Sequence, residues 1–321
     1  MAEAVRPRTR LILIWAGVAV TVLFGWIAIR DVHARAVWEA LKDSNYAWTI
    51  PATLALAVAV VLRAVRWQYV FERATRPPFG PTLRALLVGY LFNNLLPLRA
   101  GEAVRVVVLH SYARTSRAES AATVVAERIY DVLTILVLFF CTLPWLPHVA
   151  RIKVAVWLSV LVVAGIVAAA VVLIRWEHRP IEWVLRPVVR IPFLASLDAQ
   201  RLALSATQGL ASLRRGRLAA AAFVLTLLSW FALALSAWFV MLAFDLGLSP
   251  AAGALVVVAT GLASILPSSP AGLGVFEGAT VVALGAYGVA RSDALSYALV
   301  LHAVNFFPYL IAGAVALRWR S

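Results

Sequence analysis

Leu96-Pro97-Leu98-Arg99-Ala100-Gly101-Glu102 cuts an apolar stretch that runs from 85 to 113. Leu266-Pro267-Ser268-Ser269-Pro270-Ala271-Gly272-Leu273-Gly274-Val275-Phe276-Glu277 cuts a second, from 250 to 289. Proline removes a helix N–H and glycine admits turns, so one helix ends and another begins at each break. Each stretch is therefore either one kinked membrane span or two half-helices folded back as a re-entrant hairpin. The choice decides how many times the chain crosses, and the charges arbitrate it.

Around the two breaks the sequence is apolar throughout. Of 321 residues, 63% are hydrophobic and 14% charged, with mean hydropathy +0.89. Soluble domains run nearer 45–50% apolar and about 25% charged. This excludes a soluble globular, disordered or fibrous chain. The longest mixed-polarity stretch, 175–217, is too short for a catalytic domain of about 100–150 residues. Long apolar runs lie at 11–29, 47–69, 121–143, 153–174, 218–244 and 294–317, six candidate spans. Ala34-Arg35-Ala36 resembles a signal cleavage site, but 11–29 rises about 29 Å as a helix, a full hydrocarbon core. It reads as a retained first span.

Net charge is +14, and all basic residues but Lys42 and Lys153 are arginine. With the N-terminus cytoplasmic and both broken stretches treated as hairpins, eighteen basic residues face the cytoplasm and six the outside. The other five lie in membrane segments. Positive-inside retention thus explains the basicity, and no nucleic-acid partner is needed. The expected fold is an all-α polytopic membrane protein with about six transmembrane helices and two oppositely oriented re-entrant hairpins. Residues 1–146 form a first repeat with hairpin 85–113. Residues 147–321 form a second, inverted repeat with hairpin 250–289 and a cytoplasmic linker 175–217, either an interfacial helix or a solvated connection. Both termini are cytoplasmic. Paired broken segments in inverted halves mark the binding site of secondary transporters. Trp48, Trp67 and Tyr69 suit interfacial belts, and Arg63 and Arg66 are expected to snorkel outward.

Charges within membrane segments are functional candidates. The first hairpin offers Asn93, Asn94, Arg99, Glu102 and Arg105. Arg99 precedes a half-helix whose N-terminus favours a phosphate or carboxylate. Glu102 and Arg105, at i and i+3, are placed to neutralise each other. In the second hairpin Ser268 and Ser269 lead a helix start, with Ser269 as N-cap and Pro270 at N1. Gly272 and Gly274 allow close backbone approach, and Gly274 with Gly278 makes a GxxxG packing pair. Glu277 is expected about two turns into that half-helix. Its roles stay open between proton acceptor, cation ligand and partner of Arg99. Glu127, Arg128 and Asp131 share a helix face in span 121–143, as a packing cluster or as the lining of the cytoplasmic mouth. His302 and Asn305 are within reach of the second hairpin.

Enzyme signatures are missing. Neither lysine completes a phosphate loop, no histidines stand at metal-ligand spacing, and there is no Asp-x-Asp or Gly-x-Ser-x-Gly. No catalytic residue, cofactor or metal is expected. The single Cys141 excludes an internal disulfide.

Three ordered motifs carry a resemblance: Asn93-Asn94-Leu95-Leu96-Pro97-Leu98-Arg99-Ala100-Gly101-Glu102-Ala103-Val104-Arg105, Ala126-Glu127-Arg128-Ile129-Tyr130-Asp131, and the stretch from Leu266 to Glu277. With Arg66-Trp67 they resemble the signatures of the lysylphosphatidylglycerol synthase transmembrane-region, or flippase-like, family over roughly residues 10–318. Leu98, where the family often has Gly, and Ser268-Ser269, where Gly-Thr is common, depart from the pattern without breaking it. The resemblance implies a prokaryotic inner-membrane protein that moves lipids between leaflets, without the aminoacyltransferase domain of the two-part aminoacyl-lipid proteins. Relatives are associated with hopanoid, cardiolipin or polyprenyl-linked sugar pathways. The expectation is a flippase for an anionic or polyprenyl-type lipid, working by alternating access. Its partners are the bilayer, the lipid substrate and enzymes of lipid biosynthesis. The alternatives are a membrane transferase on a lipid-linked substrate and a non-catalytic partner of biosynthetic enzymes.

Overall fold

The computed structural model describes residues 7–96, 100–146, 216–266 and 268–318. The expected span 153–174, nearly all of the linker 175–217, and Arg99 lie outside the described residues. Ten α-helices carry the rest: α1 (Pro7–Ile29), α2 (Ala34–Asp43), α3 (Thr49–Val70), α4 (Phe79–Leu95), α5 (Gly101–Ala113), α6 (Arg117–Thr142), α7 (Gly216–Ala243), α8 (Pro250–Ala263), α9 (Val275–Gly285) and α10 (Arg291–Arg318). There is no strand among the described residues.

Among them, α3 with its preceding turn, α7 and α10 are long and apolar enough to cross a membrane. The pair α1–α2, bent by 77°, makes a fourth if it is one span. Helix α6, at 26 residues, has the length, but its mid-helix charges take it out of the apolar class. The outward faces of these helices are apolar. Ile50, Leu54, Val58 and Val61 on α3 are exposed at helical spacing, as are Val224, Leu228 and Phe231 on α7 and Phe307, Ile311 and Val315 on α10. Continuous apolar stripes of this kind are stable only against lipid or protein.

Helices α4, α5, α8 and α9 have 17, 13, 14 and 11 residues, so each rises less than the roughly 30 Å of a hydrocarbon core. Helix α5 folds back along α4. A Cβ on Gly101 would lie 2.0 Å from the Gly89 carbonyl oxygen and 2.7 Å from the Asn93 nitrogen, and one on Gly89 2.9 Å from Arg105 Cβ. Later positions of α5 therefore meet earlier positions of α4, the signature of a hairpin and not of a kinked rod. In the second pair, Ala259 and Ala263 of α8 cluster with Val275 and Ala279 of α9 and with Val20 and Phe24 of α1.

Long-range hydrogen bonds sort the helix ends into two groups. Arg291 donates to the Ile27 carbonyl, the His33 N–H to Ser292 Oγ, and the Asn45 N–H to the Ala243 carbonyl. Residues 40–45, 242–248 and 287–293 also converge on a cavity of about 810 Å³. At the opposite end, Thr75 Oγ1 donates to Glu119 and Arg84 to the Leu317 carbonyl. Hairpin α4–α5 starts and finishes at this second end, and hairpin α8–α9 at the first.

Packing has its own regularity. Exchange α3 with α7, α4 with α8, α5 with α9 and α6 with α10. The contact α3–α4 then answers α7–α8, α4–α5 answers α8–α9, α5–α6 answers α9–α10, and α4–α10 answers α8–α6. The central contact, α3 against α7, maps onto itself. Helix α1 lies on α9, so segments from both sides of residue 146 share one core.

Candidate functional site

The second break is built from unusual backbone. Ala271, Gly272 and Gly274 take φ of 59°, 75° and 82°, and a 3₁₀ turn over Pro270–Gly272 separates α8 from α9. Ser269 precedes this turn with its hydroxyl donating to the Leu273 carbonyl at 2.9 Å, so it does not cap α9. Gly274 is the N-cap, and Glu277 accepts its N–H at 2.7 Å from the third helical position. Glu277 thus lies in the first turn, not two turns in. The expected glycine pair does pack: Cβ atoms at Gly274 and Gly278 would press 2.9 Å from the Thr21 and 2.5 Å from the Phe24 carbonyl oxygens of α1.

The two hairpin tips meet at a cavity of about 580 Å³. Asn93 and Asn94 line it from α4, Glu102 and Arg105 from α5, and Ser268, Ser269, Ala271 and Gly272 from the second break. Arg128 and Asp131 of α6 and Asn305 of α10 complete the expected set. Glu127, Gly274 and Glu277 stand behind the wall.

One wall is an ion-pair chain. Arg105 meets Glu127 at 2.5 Å, Glu127 meets Arg66 at 3.0 Å, and Arg66 meets Asp131 at 2.6 Å. Arg128 bridges Asp131 at 3.3 Å and Glu102 at 2.6 Å. Trp230 of α7 donates its indole N–H to Asp131 at 3.1 Å. Arg105 also lies 4.7 Å from the centre of the Trp67 ring, whose own N–H donates to Thr123. Glu127 is fully buried and Arg66 is 3% exposed. Charges this dry persist only when paired and hydrogen-bonded. The pairing corrects three expectations. Glu102 and Arg105 reach across to α6 and do not neutralise each other. Arg66 points inward and does not snorkel. Trp67 is wholly buried and belongs to no interfacial belt.

Arg63 is the residue that sequence reasoning misplaced most. One turn before Arg66, it lines the cavity, donates to the Tyr90 hydroxyl at 3.2 Å and lies 5.5 Å from the Trp230 ring centre. Tyr90 in turn packs on Tyr309 at 4.5 Å. Arg63 forms no ion pair among the described residues, and its Nε is buried without a partner. Four arginines, 63, 66, 105 and 128, therefore face three carboxylates, 102, 127 and 131, and the described cluster carries one positive charge in excess. The buried Oδ1 of Asn93 is also unpartnered and sits at the cavity. The opposite wall is neutral and hydroxyl-rich, with Thr260, Ser264, Ser268 and Ser269. The signal for Arg63 was its depth in an apolar helix. Tyr90, Trp230 and Tyr309, polar aromatics far from span ends, were the same signal.

The sequence matches a known family over residues 14–313, the lysylphosphatidylglycerol synthase transmembrane region. The chain belongs to that family. A UPF0104 membrane protein of Methanothermobacter thermautotrophicus is 23% identical to this lysylphosphatidylglycerol synthase transmembrane-region chain, covering 93% of it and 94% of the relative. A second UPF0104 protein, from Pyrococcus horikoshii, is 23% identical over 97% and 98%. Glycosyltransferase AglD of Haloferax volcanii is 31% identical over 133 residues. That match takes in 41% of this chain and only 21% of AglD. Family membership and the lipid-facing stripes make this a multi-pass membrane protein.

Proposed function

We propose that this protein carries a lipid with an anionic headgroup between the leaflets of a prokaryotic inner membrane. The observation that carries the reading is Arg63, a cation facing the cavity beside a cluster that is otherwise paired. A phosphate on a lipid headgroup is the ligand such a guanidinium recognises, because its donor fork matches phosphate oxygens. Asn93, Asn94 and the hydroxyls of the opposite wall would bind the polar substituents.

In this reading the two hairpins are re-entrant, open from opposite sides, and belong to inverted repeats. The support is the pairing of helices under exchange of halves and the separation of loop ends into two groups. Rocking one repeat against the other would expose the cavity to each side in turn. In the same reading the arginine-rich loops and both termini face the cytoplasm, supported by the positive-inside bias of the sequence.

The likeness to a stretch of glycosyltransferase AglD favours a second reading, a transferase acting on a lipid-linked substrate. One experiment separates the two. The purified chain in vesicles receives labelled phosphatidylglycerol, cardiolipin and a polyprenyl phosphate, and each lipid is assayed for leaflet and then for mass. A carrier moves lipid of unchanged mass; a transferase yields a new mass.

A further inference from the structure

Glu277 and His302 stand behind the cavity as a buried pair, 6% and 9% exposed. Glu277 Oε1 is 2.5 Å from His302 Nδ1, and Oε2 accepts the Gly274 N–H. Phe276 packs on the imidazole at 4.7 Å and Phe306 at 6.3 Å. A carboxylate accepts, so Nδ1 carries the proton and Nε2 is the basic nitrogen. Nε2 has no hydrogen-bond partner among the described residues.

Among the described residues, the surroundings supply no fixed cation. Helix α1 presents no ionisable group over residues 17–29, α8 has none, and α7 has only Arg217 at its start. Helix α2, with Arg35, Glu39, Lys42 and Asp43, meets α10 at Ser292 and Ser296, well before His302. From α4 come Arg84 and Tyr90, and from α3 Arg63, Arg66 and Tyr69, all with partners elsewhere. On α10 itself Arg291 is engaged with Ile27 and Tyr297 with Ala237, while Asp293, Tyr309 and Arg318 are at least seven residues away. None of these groups has a hydrogen bond or ion pair to Glu277 or His302. Glu127 and Asp131 face arginines, whose charge is permanent. Glu277 faces an imidazole, whose charge is not.

We propose that Glu277 and His302 form a proton-binding site linked to the cavity, so that one proton is taken up as an anionic headgroup binds. This rests on the cavity being a headgroup site. With His302 neutral the pair carries one negative charge. A proton on Nε2 cancels it, with Nδ1–H still donating to Glu277. Phe276, Leu301 and Asn305 touch or flank the pair and line the cavity. Tyr309, two turns along α10, packs on Tyr90, which accepts from Arg63. Removing a negative charge about 10 Å from a bound phosphate strengthens its binding on the order of tenfold in a partly shielded interior. Linkage is reciprocal, so the headgroup equally favours the proton.

Calorimetry tests this without transport. Short-chain phosphatidylglycerol is titrated into the detergent-solubilised full chain near neutral pH, in two buffers of unlike ionisation heat. The wild type takes up as much as one proton per lipid bound, so the heats differ. In Glu277→Gln the amide oxygen still accepts the Gly274 N–H, proton uptake disappears, and binding becomes about tenfold tighter and independent of pH. In His302→Asn uptake also disappears, but binding is weaker and equally flat. A purely structural pair would not move the two variants in opposite directions. Wild-type binding with equal heats in both buffers, or undiminished uptake in both variants, overturns the proton site and leaves the headgroup reading standing. No wild-type binding at any pH brings down the headgroup reading and the linkage with it.

Discussion

Arg63 and Arg66 lie one turn apart on α3 in unlike surroundings. Arg66 is held by two carboxylates, and Arg63 by a tyrosine hydroxyl and an indole face. Stability and recognition therefore separate by residue. Glu127→Ala leaves Arg66 and Arg105 short of a partner in a dry core, a loss of about 3–5 kcal/mol, visible as a drop in Tm of the detergent-solubilised protein. Replacing Glu127 and Arg105 together by Leu keeps the charge sum and should recover much of that loss. Trp230→Phe removes one hydrogen bond to Asp131, about 1.5–3 kcal/mol because the acceptor is charged. The sequence announced most of these residues, because charges inside apolar helices stand out. It could not announce their partners. The i,i+3 spacing of Glu102 and Arg105 suggested a local pair, but α5 lies on α6, and contact across helices outcompeted contact along one.

At the scale of elements, the hairpins depend on missing side chains. Gly101→Ala puts a Cβ against the Gly89 carbonyl and the Asn93 backbone, which cannot swing aside. Separating α4 from α5 should cost about 3 kcal/mol and reduce the yield of monodisperse protein. Gly274→Ala adds a left-handed residue to a 2.9 Å contact with α1, and loosening of α1 should appear as raised hydrogen exchange in α9. Both breaks were legible from Pro and Gly, and both resolve into short helices, as expected. The start of α9 was not legible. Ser269-Pro270 has the chemistry of a helix start, and it does start a turn. The positive φ at Ala271, Gly272 and Gly274 then delays the helix to Val275. Propensity names the residue types at a boundary, while packing on α1 sets the boundary itself.

At the scale of the molecule, the described helices are organised by two groups of helix ends and the cavity between the hairpins. Arginine counts divided the loops into two sides, and hydrogen bonds such as Arg291 to Ile27 and Arg84 to Leu317 group the same loops together. The packing of α3 on α7 was beyond the sequence, because α7 is apolar almost throughout and α3 is apolar up to Arg63, so no periodicity marks a partner face. The central claim is that Arg63 binds a headgroup in transit. The most direct measurement is the translocation rate of labelled phosphatidylglycerol in proteoliposomes containing the wild type, Arg63→Ala or Arg63→Lys, with phosphatidylcholine as the comparison lipid. The account predicts selective movement of phosphatidylglycerol, at least about tenfold slower in Arg63→Ala and partly restored in Arg63→Lys, since lysine keeps the charge but loses the fork. Equal rates for all three proteins, with Arg63→Ala folded as judged by an unchanged Tm, would contradict it.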